Sequence, residues 1–316
     1  MPHTRRSVRY FISFAVGAAL LLTLSACKQT DTNVAKQPAQ STFASPEEAG
    51  TALLNAAKSQ DPQAFSAIFG PGSKELFWSG DATKDKDTME DFAAAYNQMH
   101  RWRELKVGGE MLYVGADNFV FPIPLGKNAS GQWQFDTAAG RDEILARRIG
   151  KDELAAISAC TALAQAQNQY FNDKLGGSKQ YAQRLISSPG KQDGLYWPTA
   201  PGQASSPLEE LRDFAKAAGY TNAGDKPQPF DGYYYRIITK QGNDAKGGAK
   251  DYMQNGELTG GFAILAYPAE YQNSGIMTFI VGKDGVVYQK DLGAQTSQIA
   301  SAMTEYNPNS EWKPAI

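Results

Sequence analysis

Histidine and cysteine are almost missing from this chain. Its 316 residues hold two of each, namely His3, His100, Cys27 and Cys160. A serine or cysteine nucleophile activated by histidine needs that histidine within hydrogen-bond reach. A zinc site needs three or four nitrogen or sulfur ligands. Beyond the first 27 residues only His100 and Cys160 remain, too few parts for either chemistry. No glycine-rich phosphate loop is evident, and no cofactor is expected. Excess charge of one sign is also lacking: the formal net charge is −2. No basic patch with interleaved aromatics occurs, so nucleic acid is not an expected partner.

What is present begins at the N-terminus. Arg5, Arg6 and Arg9 form a cationic start, and Tyr10 to Leu24 is an uncharged, mostly apolar run. That run falls short of the roughly 20 apolar residues of a membrane-spanning helix and has the three-part form of a secretory leader. Arg5-Arg6 invites a twin-arginine reading, but general secretion fits better. The run closes on Leu24-Ser25-Ala26-Cys27, which resembles the lipobox of bacterial lipoproteins. The resemblance implies export, cleavage before Cys27, lipidation of Cys27 and tethering to a membrane. Lys28 in the next position implies the periplasmic face of the outer membrane.

Of 31 basic residues, the leader takes three arginines and no acids, leaving 28 against 33 acids, or −5. Once Cys27 carries lipid, Cys160 has no internal disulfide partner. It sits among Ala156, Ala159 and Ala164 and reads as a buried small hydrophobe. Residues 28–43 are polar and aperiodic, a flexible tether reaching roughly 50 Å at about 3.4 Å per residue.

Two folded segments are expected, 44–149 and 150–316. In the first, Ser45, Pro46 and Glu48 form a capping box, followed by Ala49, Ala52, Leu53 and Ala56 at helical spacing. A second helix runs from Pro62 and a third from Thr88 to Trp102, which makes His100 a solvated helical residue. Strands are expected over residues 106–114, 118–125 and 131–136, with Pro122 and Pro124 weakening the middle one. In the second segment a long helix follows Gly150, then a short helix in YAQRLIS and another in PLEELRDFAKAAG. Strands are expected over residues 232–239, 252–258, 261–267 and 276–289. Asn255-Gly256 signals a tight hairpin.

The first segment, helices followed by antiparallel strands, resembles the nuclear transport factor 2-like superfamily. ELAAISACTALAQAQNQYF followed by a sheet ending GIMTFIVGKDGVVYQ is similar to the globular domain of type IV pilins and pseudopilins. GRDEILARRIGKDE is charged where a pilin helix is apolar, so pilin-like polymerisation is not expected. The expected class is α+β: a nuclear transport factor 2-like cone, then a pilin-like domain. The whole series of FASPEEA, GQWQFDTAAGRDEILARRIG, YAQRLISSPGKQDGLYWP, FDGYYYRI and DGVVYQKDLG resembles a bacterial envelope family, domain of unknown function 2950. That resemblance implies an exported protein without an assigned activity.

Candidate chemistry is sparse. Ser188-Pro189-Gly190-Lys191 matches S-x-x-K, but Pro189-Gly190 predicts a turn. Asp142 and Glu143 read as first-turn helix acids, and Asp136 as a strand end. Asp173, Asp193 and Asp231 lack the spacing of a calcium loop. The aromatic clusters offer more. Tyr196 and Trp197 follow Asp193, while Tyr233, Tyr234, Tyr235 and Arg236 follow Asp231. Such rows suit a protein or glycan surface. The expected function is therefore a lipid-anchored, non-enzymatic binding or scaffolding module, with an envelope protein or glycan as partner. One alternative is an envelope glycan- or peptide-acting enzyme using Asp193, Asp231 and nearby tyrosines. Another is a small-ligand binder whose cone is lined by Trp78, Phe92, Tyr96 and Trp133.

Overall fold

The computed structural model describes residues 40–106, 108–199, 202, 205–209 and 228–315. Helix α1 (Pro46–Ser59) starts where Ser45 Oγ accepts from Glu48 N, and Glu48 in turn accepts from Ala44 N. Asp61 caps α2 (Pro62–Phe69) and Asp81 caps α4 (Ala82–Gln98), with short α3 (Lys74–Phe77) between them. These helices pack with an antiparallel sheet of β1 (His100–Glu104), β2 (Glu110–Val114), β3 (Phe119–Val120), β4 (Leu125–Lys127) and β5 (Trp133–Phe135). The order is β1-β2-β4-β5, with β3 also paired to β2.

The predicted third helix overran. It stops at Met99, whose backbone is extended, and residues 100–104 pair as β1 with β2. Only Trp102 in His-Arg-Trp-Arg-Glu is a large apolar residue, so period-two alternation was hidden. The long helix, by contrast, begins earlier than expected. Helix α5 spans Thr137–Asn172, capped by Asp136, which accepts from Ala139 N at 3.1 Å. Gly150, the expected start, lies inside it on the exposed side, where a glycine costs about 1 kcal/mol relative to alanine without breaking the helix. Gly140 lets α5 approach the segment between β3 and β4: a Cβ there would lie 2.6–2.9 Å from atoms of Ile123 and Pro122.

After α5 come β6 (Arg184–Ile186) and β7 (Gly194–Tyr196), a parallel pair. YAQRLIS is thus strand and bridge, not helix. Tyr181 N donates to Leu258 O, and so short a helix is marginal without packing of its own. The expected helix in PLEELRDFAKAAG falls mostly outside the described residues. Strand β8 is Tyr233–Ile238. Small pairs follow: β9 (Lys240–Gln241) with β10 (Lys250–Asp251), and β11 (Met253–Gln254) with β12 (Glu257–Leu258). The second pair turns at Asn255-Gly256, as expected, with φ of 51° and 84°.

Strands β13 (Ala263–Pro268), β14 (Met277–Gly282) and β15 (Val287–Asp291) continue the chain, then α6 (Thr296–Ala302) and β16 (Lys313–Pro314). They form a five-stranded antiparallel sheet in the order β16-β15-β14-β13-β8. The α+β class expected from sequence is what the chain adopts. The described residues make one compact unit with two buried apolar clusters. One gathers Phe65, Phe69, Phe121 and Phe135 of the N-terminal layer; the other joins α5 to the second sheet. Helix α5 serves both layers, and the expected division at 149/150 falls within it. Among the described residues no helix is long and apolar enough to cross a membrane.

Candidate ligand-binding cavity

Two helices in the N-terminal layer face each other across a gap. Helix α5 presents Ile144, Arg147, Arg148, Lys151 and Asp152, spaced i, i+3, i+4, i+7, i+8, one stripe of an α-helix. Helix α4 presents Asp85, Thr88, Met89, Phe92 and Ala95. The space between them is a cavity of about 430 Å³, floored by Leu53, Ala57, Phe65, Leu76, Phe77 and Phe121. That volume lies in the range of small-molecule pockets, which are typically apolar with a few placed polar groups.

Charged groups fill one end. Lys84 pairs with Asp152 and lies 3.4 Å from Asp231. Asp152 is fully buried, and that burial pushes its carboxyl up to about 6, while Lys84 pulls it back. Gly232 is required beside it: its φ is +76°, and a Cβ would lie 2.5 Å from Asp152 Oδ2. Asp85 accepts from Ser79 N with both oxygens at 3.0 Å and from Ser79 Oγ at 2.7 Å. Burial raises the Asp85 carboxyl, and the Ser79 bonds oppose it. Arg148 donates to the carbonyls of Glu75 and Leu76 and to Asn273 Oδ1. Asn273 passes the link on, donating to Trp78 O at 3.1 Å. Burial lowers the Arg148 guanidinium, opposed by Asp85, Asp152 and Glu270. These bonds tie α3, α4 and α5 to the loops before β8 and β14.

The mouth is different. Arg147 donates to Glu143 at 2.6 Å and to Val120 O at 2.9 Å, and its guanidinium lies 5.6 Å from the Phe119 ring centroid. Phe119 is 49% exposed. Lys151 and Asp91 are exposed at the rim.

Of the four residues expected to line a pocket, only Phe92 does. Trp78 packs edge-on to Phe65 at 5.1 Å, Tyr96 stacks on His100 at 4.0 Å, and Trp133 lies under Lys127 at 4.9 Å. The aromatic rows are corrected more sharply. Tyr233, Tyr235 and Trp197 are buried at 0%, 8% and 4% exposure, members of the second core. Tyr233 donates to Met277 O at 2.9 Å. On the other face of β8, Tyr234 meets Tyr267 at 5.5 Å, and Arg236 donates to the carbonyls of Ala300 and Met303 at the end of α6. Tyr196 is half-buried. The second sheet is covered on both faces, by α5 and by α6, so alternation along β8 buries aromatics where an exposed row was expected.

Asp193 and Asp231 are not a pair. Asp231 meets Lys84 beside Asp152, whereas Asp193 sits near Tyr170, 18 residues along α5, roughly 27 Å at 1.5 Å per residue. Asp193 accepts from Ser188 N at 2.7 Å and Ser188 Oγ at 2.8 Å. Burial works to raise its carboxyl, but the Ser188 bonds outweigh it and hold it low. It lines a separate polar cavity of about 470 Å³ with Tyr170, Gln180 and Arg184. Residues 188–191 form a turn, closed by Lys191 N to Ser188 O at 2.9 Å. Burial pushes the Cys160 thiol up to about 12, so it stays protonated. Among the described residues no group of three acids, histidines or cysteines could hold a metal. Cys27 lies outside the described residues.

Sequence reasoning missed Lys84, Arg148, Lys151 and Asp152. For the three on α5 a signal exists, since ILARRIGKDE carries helical spacing; Lys84 has none.

The fold and this cavity define an α+β protein with an amphipathic pocket between two helices. The chain belongs to the family described as protein of unknown function DUF2950, whose family model matches residues 40–315. No curated protein and no solved structure matches the chain.

Proposed function

We propose that this is an exported, lipid-anchored envelope protein that binds a small amphipathic ligand between α4 and α5. The observation that carries the reading is the cavity of about 430 Å³ with an apolar floor and a charged rim. In this reading the N-terminal layer is a nuclear transport factor 2-like cone left open at one end. The second layer, with α5 laid across an antiparallel sheet, is a pilin-like support. The Leu24-Ser25-Ala26-Cys27 run supports lipidation at Cys27 and a place on the periplasmic face, with Lys28 favouring the outer membrane. The buried aromatics of β8 remove support for a scaffolding surface there, and the separated Asp193 and Asp231 remove support for a carboxylate-pair enzyme.

Native mass spectrometry of the purified protein, together with displacement of an environment-sensitive fluorophore, tests the binding. One ligand per chain is expected, weakened when Ala57→Leu fills the floor. Binding unchanged in that variant would refute the cavity as the site. Labelled palmitate should enter the wild type and not Cys27→Ser; equal labelling would remove the anchor.

A further inference from the structure

The charges around the cavity fall into two groups, an inner one held by protein partners and a rim one that keeps open donors. At the inner end every charge is already engaged. Asp85 is held by Ser79, Lys84 by Asp152 and Asp231, and Arg148 by two carbonyls and Asn273. A ligand group reaching that end finds apolar wall and polar bonds that are closed except at Asp152 Oδ2, so an apolar buried part suits it best.

At the rim the balance differs. Arg147 and Lys151 are both exposed and stand one turn apart on α5, about 5–6 Å between Cβ atoms. Arg147 uses Nε and Nη1 within the protein, leaving Nη2 to a ligand. Lys151 has no hydrogen bond or ion pair among the described residues. A carboxylate or phosphate head spans that separation, and charge-assisted bonds of this type are the stronger ones. Glu143 already pairs with Arg147, and on the facing wall Asp91 lines the mouth with no partner among the described residues, so Lys151 is the rim cation left unpaired. Phe119, half exposed beside Arg147, continues the apolar path to the opening.

Resting on the cavity reading above, we propose that the ligand is a single-chain anionic amphiphile. Its alkyl chain lies on the floor, and its carboxylate or phosphate sits between Arg147 and Lys151. The same pair sets selectivity by head group, and Asp91 repels the anion.

The test is fluorophore displacement from the mature chain by dodecanoate, dodecyl phosphate, dodecanol and dodecylammonium, each below its micelle-forming concentration. The two anions should bind about tenfold tighter than the alcohol, and the cation weakest. The better of the two anions identifies a carboxylate or a phosphate head. Lys151→Glu should cost the anions about tenfold while sparing dodecanol, and Asp91→Asn should tighten them. Both positions are exposed, and circular dichroism confirms that the variants fold. Equal binding of all four heads, or anion binding untouched by Lys151→Glu, would overturn the head-group assignment and leave the cavity standing. Failure of all four to bind would overturn both.

Discussion

The N-terminal core closes ring against ring, whereas in the C-terminal core short side chains of α5 meet the rings and aliphatic residues of the second sheet. Phe65, Phe69, Phe77, Phe121 and Phe135 meet tilted, stacked or edge-on at 4.6–6.1 Å. Three of them, Phe65, Phe77 and Phe121, also line the cavity. In the other layer Ala156, Ala159, Cys160, Leu163 and Ala164 bring α5 onto β13 and β14. Small residues allow close approach there, and the cavity of about 470 Å³ in this layer lies instead by Tyr170, Gln180 and Arg184. Helices α4 and α5 meet differently, through Lys84 and Asp152, while Arg148 ties α5 to α3 and Asn273. Long charged side chains whose heads bond at one end hold the two helices apart, and the gap is the cavity. Hollowness here follows from which side chains face across the gap. Hydrophobic content does not decide it, since both layers have large apolar cores.

Four changes would break or sharpen that contrast. The largest effect should come from Lys84→Met, which leaves Asp152 buried beside Asp231 without its cation. Breaking a buried pair costs about 3–5 kcal/mol, and chemical denaturation should show a loss of that order. A loss below about 1 kcal/mol would mean the pair does not brace the helices.

The second concerns pH. Burial raises the Asp152 carboxyl from 3.8 to about 6. The folded protein therefore holds this proton more tightly than the unfolded chain does. The stability from this group is fully present below about 4 and is lost as pH rises through about 6. Its size is on the order of 2–3 kcal/mol. Asp152→Asn should lack that contribution, so its stability relative to wild type should improve as pH goes from 4 to 7. A constant difference would disprove the linkage.

Third, the same substitution should act oppositely in the two cores. Ala156→Leu overpacks the tight contact of α5 with the second sheet and should cost about 1–3 kcal/mol, read as a lowered unfolding midpoint. Ala57→Leu grows into the cavity and should change stability by less than about 1 kcal/mol, while weakening ligand binding. Similar losses at both sites would mean the N-terminal core has no usable space. Smallest is Lys151→Ala, on an exposed site. It should move the unfolding midpoint within about ±0.5 kcal/mol, and a larger loss would show Lys151 to be part of the brace.

Much of the fold was legible because local chemistry specified it. Ser45 and Glu48 started α1, and Asn255-Gly256 turned its hairpin where expected. Errors came where tertiary contact overrode the local signal. Residues 100–104 are strand because β2 offers a ladder, and YAQRLIS extends because neighbouring strands take its hydrogen bonds. Asp136 was read as a strand end and is also the cap that launches α5. The tyrosines of β8 were visible as a row, but a strand pattern does not reveal whether both its faces are covered.

By itself the sequence determined the α+β class, the Ser45 cap and the Asn255-Gly256 hairpin, the scarcity of histidine and cysteine, and the inert setting of Cys160. These depend on residue type and near neighbours. Only the tertiary structure decided that Tyr233, Tyr235 and Trp197 are core, that Asp193 and Asp231 lie far apart, and that Lys84 and Asp152 meet across 68 residues. Those outcomes depend on which distant faces pack together, and that is set by burial of the whole chain at once.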